Sequence, residues 1–308
     1  MKILIPVDGS EQGNAALEFV ASRSTLVGKH PEVHLLNVQP TLPARVIRAI
    51  GRAEAKAYER GQASQVLQPA VTRLARAGIA AKASYVAGRR PDAISAVAVR
   101  EGTDLIVMGS RGRSALKGLL FGSMTYAVLA GCTKPLLVLR SAEAPRSGSL
   151  SVGIAIDGSR YGRAAVRWVI RHRDLFGAEA RIQLIHVIDR ERADPARAEG
   201  PALGKRPVCA IAGDDPALQA RFAEVMAGAL KLFAQAGMKV TAVPLLGADA
   251  GDAIAAYARQ RRIDLVVMGS HGQGAFKSLV LGSVAMRVAA RSDKPLLLIR
   301  DPRHAART

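Results

Sequence analysis

Short apolar runs rich in β-branched residues alternate along the chain with longer stretches whose apolar residues return every three or four positions. In the first half, runs at residues 2–7, 33–38, 81–86, 105–108 and 136–139 predict strands buried on both faces. Stretches at 10–27, 44–77 and 92–100 predict helices between them, and Gly78 and Gly102 follow two of these where a helix stop is expected. Strand–helix alternation implies right-handed crossovers and a mostly parallel sheet covered by helices. Ligands in such a sheet bind at the carboxyl ends of its strands.

The pattern is written twice. DLIVMGSRGRSALKGLLFGS (104–123) returns as DLVVMGSHGQGAFKSLVLGS (264–283), and KPLLVLR (134–140) as KPLLLIR (294–300), both at an offset of 160. Nearer the start of each copy, IPVDGS (5–10) returns as AIDGS (155–159) and VHLLNV (33–38) as IQLIHV (182–187), at an offset of 149. The second copy therefore carries about eleven extra residues, expected within 189–216, an Arg-, Asp-, Pro- and Gly-rich stretch that reads as a mobile loop. A small, polar linker at 141–150 separates the copies. The expected architecture is α/β: two tandem doubly wound, five-stranded parallel-sheet domains of Rossmann-like type, at 1–143 and 150–303.

The main chemical signal lies after the fourth strand. Gly109-Ser-Arg-Gly112 is followed by nine residues and then Gly122-Ser123; the second copy repeats the spacing with Gly269-Ser-His-Gly272 and Gly282-Ser283. Glycines let backbone N–H groups approach an anion without a Cβ in the way. Each Gly-Ser pair precedes the last helix of its copy, where free N–H groups and the positive dipole end favour phosphate. The serine hydroxyl there is expected to cap the helix or to donate to a phosphate oxygen. The bland alternative is a strand terminated by glycines and a helix capped by serine; identical spacing in two copies favours anion binding.

The spacing G-x2-G-x9-G-S after DLIVMG resembles the ATP-binding signature of the universal stress protein family. IPVDGS and KPLLVL resemble the same family's first and last strands, and the similarity covers nearly the whole chain as a tandem pair. The resemblance implies that Asp8 and Val38, with Asp157 and Val187 in the second copy, line an adenosine pocket. Their neighbours Pro6, Val7 and Met108, with Ala155, Ile156 and Met268, complete the implied strand-end lining. It implies ribose and phosphate contacts from Gly109, Arg111, Gly112, Gly122, Ser123 and Met124, and from Gly269, His271, Gly272, Gly282, Ser283 and Val284. The implied ligand is ATP, with Mg2+ as an optional companion. Between the copies, Pro6 becomes Ala155, Asn37 becomes His186, Arg111 becomes His271 and Met124 becomes Val284. Arg111 offers a charge-assisted donor that His271 lacks near neutral pH, so the first copy is expected to gain more from phosphate charge. Met124, where the family often has Val, is the residue expected to crowd a pocket. In the family the closing strand mediates dimerisation, which implies an internal pseudo-dimer of the two copies and a further homodimer.

Charge changes the picture less than its size suggests. The 308 residues carry 44 basic and 25 acidic side chains, a formal net charge of +19. Residues 1–144 hold 19 basic and 10 acidic side chains and the remainder 25 and 15, so the excess is spread evenly with no polybasic arm. With aromatics at 4%, there is little material for stacking unpaired bases, and nucleic acid is not the expected partner. The apolar runs are too short to cross a bilayer, and the opening MKILIPVDGS lacks the long apolar region of a secretory signal. Two cysteines, Cys132 and Cys209, form no scaffold; a reduced, cytoplasmic setting is expected.

Other chemistries find less support. No G-x4-G-K-[ST], H-E-x-x-H or G-x-S-x-G is present. Gly272-x-Gly274 begins a dinucleotide-like pattern that Lys277 breaks. Asp104 and Asp264 read as local partners, Asp92 and Asp252 as helix-start residues, and Trp168 as core. No dedicated general base for water is apparent, so a nucleotide-dependent sensor or partner-binding module in stress response is favoured over a slow ATP hydrolase. A basic nucleic-acid-associated protein is the remaining alternative.

Overall fold

The computed structural model describes residues 1–23, 31–110, 121–139, 148–189, 210–211, 215–272 and 281–300. The chain divides into two compact units, Met1–Gly148 and Ser149–Thr308. Unit 1 runs β1 (Lys2–Pro6), α1 (Glu11–Ala21), β2 (Glu32–Gln39), α2 (Ala44–Ile50), α3 (Arg52–Arg76), β3 (Ala81–Ala87), α4 (Arg90–Arg100), β4 (Leu105–Gly109), α5 (Ser123–Gly131) and β5 (Leu136–Leu139). Its strands lie in the order β3-β2-β1-β4-β5, and all are parallel. The order reverses between β1 and β4, which opens a crevice at their carboxyl ends.

Unit 2 repeats this plan with β6 (Ser151–Ala155), α6 (Arg160–Arg171), β7 (Arg181–Asp189), β8 (Ala210–Ile211), α7 (Pro216–Gln235), β9 (Thr241–Gly247), α8 (Ala250–Gln260), β10 (Leu265–Gly269), α9 (Ser283–Arg291) and β11 (Leu296–Ile299). Its order is β8-β9-β7-β6-β10-β11. Five strands are parallel, as expected. The sixth, β8, is a departure: two residues of the presumed insertion pair antiparallel with β9 through Ala210↔Leu246 and Ile211↔Leu245. Residues 190–209, which hold most of the expected loop, lie outside the described residues.

The central strands are buried, β6 along its whole length and β1 between its ends, as a sheet covered on both faces demands: Ile3 and Ile5 in β1 match Val152 and Ile154 in β6. Asp104 and Asp264 tie the starts of these strands, accepting from the backbone N–H of Lys2 and of Ser151, each at 2.8 Å. Trp168 is core, against Phe176 and His172. The helix expected over 44–77 is two helices, because Gly51 turns the chain at φ 88, a conformation that only glycine adopts without strain. Helix α4 starts two residues before Asp92, with Pro91 in its first turn.

Candidate functional site

Each crevice begins with the turn after the first strand. In unit 1, Gly9 sits at φ +74, Asp8 Oδ1 accepts from Ser10 N at 2.9 Å, and Ser10 Oγ caps α1 by accepting from Gly13 N at 3.0 Å. Unit 2 repeats all three: Gly158 at φ +77, Ser159 N to Asp157 Oδ1 at 3.0 Å, and Gly162 N to Ser159 Oγ at 3.1 Å. The carboxylate is thus held at the strand end with one oxygen committed to the turn. A Cβ at Gly13 would stand 3.2 Å from Asp8 Oδ1, and one at Gly162 3.4 Å from Asp157 Oδ1. The repeat is therefore D-G-S-x-x-G; its last glycine recurs at the offset of 149 and was legible in the sequence, though not singled out.

The second strand braces this turn. Asn37 Nδ2 donates to the carbonyl of Val7 at 2.8 Å, and His186 Nδ1 does the same to Ile156 at 2.9 Å. A carbonyl only accepts, so Nδ1 carries the proton and Nε2 of the neutral ring is an acceptor. Burial pushes the His186 imidazole below its ordinary value, against the opposing pull of that hydrogen bond and of Asp157, with Arg221 lowering it further. His186 is therefore neutral at pH 7.

The glycine loop closes in the same way twice. Gly122 N donates to Ser110 O at 2.7 Å, and Gly282 N to Ser270 O at 2.8 Å. Gly122 and Gly282 are themselves the N-caps of α5 and α9, with no side-chain capping bond. Ser123 and Ser283 are the first helical residues, so of the two roles expected for them capping is ruled out. Neither helix has an acidic residue in its first turn, so the positive end of each dipole is left for an external anion.

The glycines of unit 2 also answer to the protein's own packing. A Cβ on Gly269 would lie 2.5 Å from Tyr161 Cβ, one on Gly272 2.7 Å from Asp157 Oδ2, and one on Gly282 3.2 Å from His271 Cα. His271 is buried, its ring centroid 5.4 Å from that of Tyr161 and its Nδ1 3.0 Å from Ser270 Oγ. Arg111 and Gly112, the counterparts in unit 1, lie outside the described residues.

These parts enclose very different spaces. In unit 2, Ala155, Ile156, Asp157, Val187, Met268, Gly269, His271, Gly272, Gly282, Ser283 and Val284 all line one cavity of about 470 Å³. Gly162, Ile185, His186, Ala250, Ile254 and Ala285 join them, unanticipated from the sequence. In unit 1, Pro6, Val7, Asp8, Val38, Met108, Gly109 and Met124 converge with Arg90, Ile94 and Thr125 on a cavity of only about 60 Å³. Gly122 and Ser123 do not line it. Arg90 and Met124 occupy the positions of Ala250 and Val284, and both are longer than their counterparts. Small-molecule sites run from about 300 to 1,000 Å³, so only the second cavity has the size of one.

A larger groove lies between two helices in each unit. The one of about 660 Å³ between α6 and α7 shares Ile156, Asp157, Gly162, His186 and Val187 with the cavity just described. Its charged rim mixes Arg163 and Arg221 with Asp157, Asp189 and Glu224, so it favours no single charge type. The groove of about 740 Å³ between α1 and α3 shares Val7, Ser10 and Gly13 with the small cavity of unit 1. Among the described residues, no group of three or more His, Cys, Asp or Glu could hold a metal ion, and no helix is long and apolar enough to cross a membrane.

Comparison with known proteins gives concordant findings. A profile of the universal stress protein family matches residues 1–140 and again 150–300. Universal stress protein MJ0577 of Methanocaldococcus jannaschii is 33% identical over 154 residues, 45% of this chain and 94% of its own length. A universal stress protein of Mycolicibacterium smegmatis is 27% identical over 198 residues, 64% of this chain and 61% of its own. The crystal structure of a universal stress protein from Archaeoglobus fulgidus DSM 4304 superposes with a TM-score of 0.68 at 21% identity, covering 97% of this chain and 98% of that one. The last likeness is one of fold.

Proposed function

The chain belongs to the universal stress protein family as a tandem of two such domains, and from that premise we propose that it binds an adenine nucleotide, ATP, in unit 2. The observation that carries this reading is the 470 Å³ cavity, which brings the Asp157 carboxylate, the Val187 strand end and the uncapped start of α9 around one space. The N–H groups of the first turn of α9 suit phosphate, and the turn contains no carboxylate to compete for them. His186 Nε2 and Asp157 offer acceptors of the kind that an adenine amino group or ribose hydroxyl seeks. The donor set includes no cluster suited to a resident metal among the described residues, so any Mg2+ would arrive with the phosphates. The chain acts on this reading as a binding module, in which nucleotide occupancy rather than turnover is the signal.

Space favours the second copy, where charge had favoured the first. Arg111 favoured unit 1 on charge, yet the space beside its strand ends is about 60 Å³. Unit 2 is therefore the site proposed first. Acid denaturation of purified protein followed by chromatography of the supernatant should release adenine nucleotide. In stripped protein, ATP at 100 times its Kd should stabilise the chain by about 2.7 kcal/mol and raise its Tm. No released nucleotide and no rise in Tm would overturn the reading.

A further inference from the structure

Away from both cavities, three side chains of unit 1 form a relay. His34 on β2 and Ser84 on β3 share one face of the sheet: the register pairs His34 with Lys82, and Ser84 follows two residues later. His34 Nε2 lies 2.7 Å from Ser84 Oγ, and His34 Nδ1 lies 2.6 Å from Glu101 Oε2 at the end of α4. Lys82 Nζ, 3.2 Å away, and the Arg100 guanidinium, 3.7 Å away, both contact the other Glu101 oxygen. The His34 ring and Lys82 hold the carboxyl of Glu101 below its ordinary value, against the opposing effect of burial. Burial in turn keeps His34 below its own ordinary value despite Glu101. An ionised carboxylate only accepts, so Nδ1 carries the imidazole proton, Nε2 accepts, and Ser84 donates to it.

We propose that Ser84 is an acylable nucleophile, with His34 as its base and Glu101 as the residue that positions His34, acting on small activated esters at the open edge of β3. The arrangement matches what general-base activation of a hydroxyl requires: nucleophile to base, and base to orienting carboxylate, each within hydrogen-bond reach. The imidazole is buried, with 8% of its side chain exposed, while Glu101 and Lys82 reach solvent at 25% and 66%. Ser84 is half-buried on the outermost strand of its sheet, so an ester approaches from the side that no strand covers in unit 1. In the step proposed, Ser84 Oγ bonds to the ester carbonyl carbon as its proton passes to His34 Nε2. The alkoxide or aryloxide leaves with that proton. Water then attacks the acyl-serine, giving one proton to His34 and releasing the acid, and Ser84 regains its proton from the imidazole. The sum is ester plus water giving acid plus alcohol.

Unit 2 braces the same sheet and helix without a relay. Its counterpart of His34 is Gln183, whose Oε1 accepts from Tyr257 OH at 2.6 Å, and Val243 stands at the register position of Ser84. That unit makes a polar tie to the equivalent helix with no nucleophile and no base.

The full-length protein should be incubated with a fluorophosphonate probe and digested, and the adduct located by mass spectrometry. Ser84 should carry it, and Ser84→Ala should lose it. His34→Gln, which installs the residue found in unit 2, should slow labelling at least 100-fold, the usual scale of general-base assistance. Glu101→Gln changes a more exposed group, so it tests the relay even if His34→Gln folds poorly; it should slow labelling at least 10-fold and alter the pH dependence of the rate. No adduct on Ser84, adducts confined to other serines, or equal rates in folded wild type and either relay variant would overturn the proposal.

Discussion

The two crevices are built from the same turn, the same loop closure and the same strand order, yet one encloses about 470 Å³ and the other about 60 Å³. Among the described lining residues the walls differ in bulk, most of all at Arg90 and Met124 of unit 1 against Ala250 and Val284 of unit 2. Backbone geometry makes a place where a nucleotide could sit, and side-chain volume decides whether there is room. Electrostatic advantage is secondary to that: a guanidinium cannot favour a ligand that does not fit.

The comparison can be broken most decisively by exchanging the walls. Ala250→Arg together with Val284→Met should weaken ATP binding more than 100-fold by titration calorimetry. The reverse exchange, Arg90→Ala with Met124→Val, should raise the binding stoichiometry from one to two. A wild-type protein that takes up two equivalents with equal affinity would end the comparison at once.

The next effect separates packing from binding. Gly269→Ala forces a methyl to within 2.5 Å of Tyr161 Cβ on α6, whereas Gly162→Ala meets its nearest neighbour at 3.4 Å. Thermal melts of ligand-free protein should place the first about 1–3 kcal/mol below wild type and the second within about 1 kcal/mol. Equal melting temperatures would mean that α6 yields freely and that the glycine is not held by its neighbour.

A smaller contrast lies at the strand starts. Asp264 and Asp104 make the same 2.8 Å bond, part-buried in unit 2 and exposed in unit 1. Charge-assisted hydrogen bonds contribute about 1.5–3 kcal/mol where water is excluded and less where it is not. Denaturant titration should therefore show Asp264→Ala costing more than Asp104→Ala; the opposite order would mean that exposure does not set the strength of this tie.

The smallest effect is a pH slope. His186 and His34 both titrate below their ordinary value of 6.5 in the folded protein because burial disfavours the charged ring. The unfolded chain then binds more protons than the folded one as pH falls below about 6.5, so stability declines on acidification and recovers as pH rises. Each imidazole contributes at most about 1.4 kcal/mol per pH unit. His186→Asn, which installs the residue unit 1 has at this position, should flatten part of the slope in melts between pH 7 and 5. An unchanged slope would assign the whole effect to other groups.

Much of this architecture is legible in the amino-acid sequence. The offsets of 160 and 149 set out a repeated unit, and alternation of apolar runs with helical stretches predicted the parallel strands of each sheet. The residues named from DGS and the glycine spacing in the second half share a single cavity, because local turn chemistry fixes them and both are written in contiguous sequence. What sequence could not carry is volume. Arg90 and Met124 are 34 residues apart, and only the packing of α4 beside α5 sets them around one space. The Ser84–His34–Glu101 relay was invisible for the same reason, since strand register rather than spacing brings it together. The break at Gly51 was legible in principle: glycine in a long helical pattern marked it, but apolar periodicity on both sides masked the signal.

Gly269 has one consequence for how such chains diverge. Its hydrogen is pressed against α6, so a descendant that ceased to hold any ligand would still keep this glycine under selection for folding alone. Ala250 and Val284 face open space and have no such hold on them. Drift toward an empty, silent domain would thus begin at the walls and leave the signature intact, and unit 1 has the form that such a history would produce.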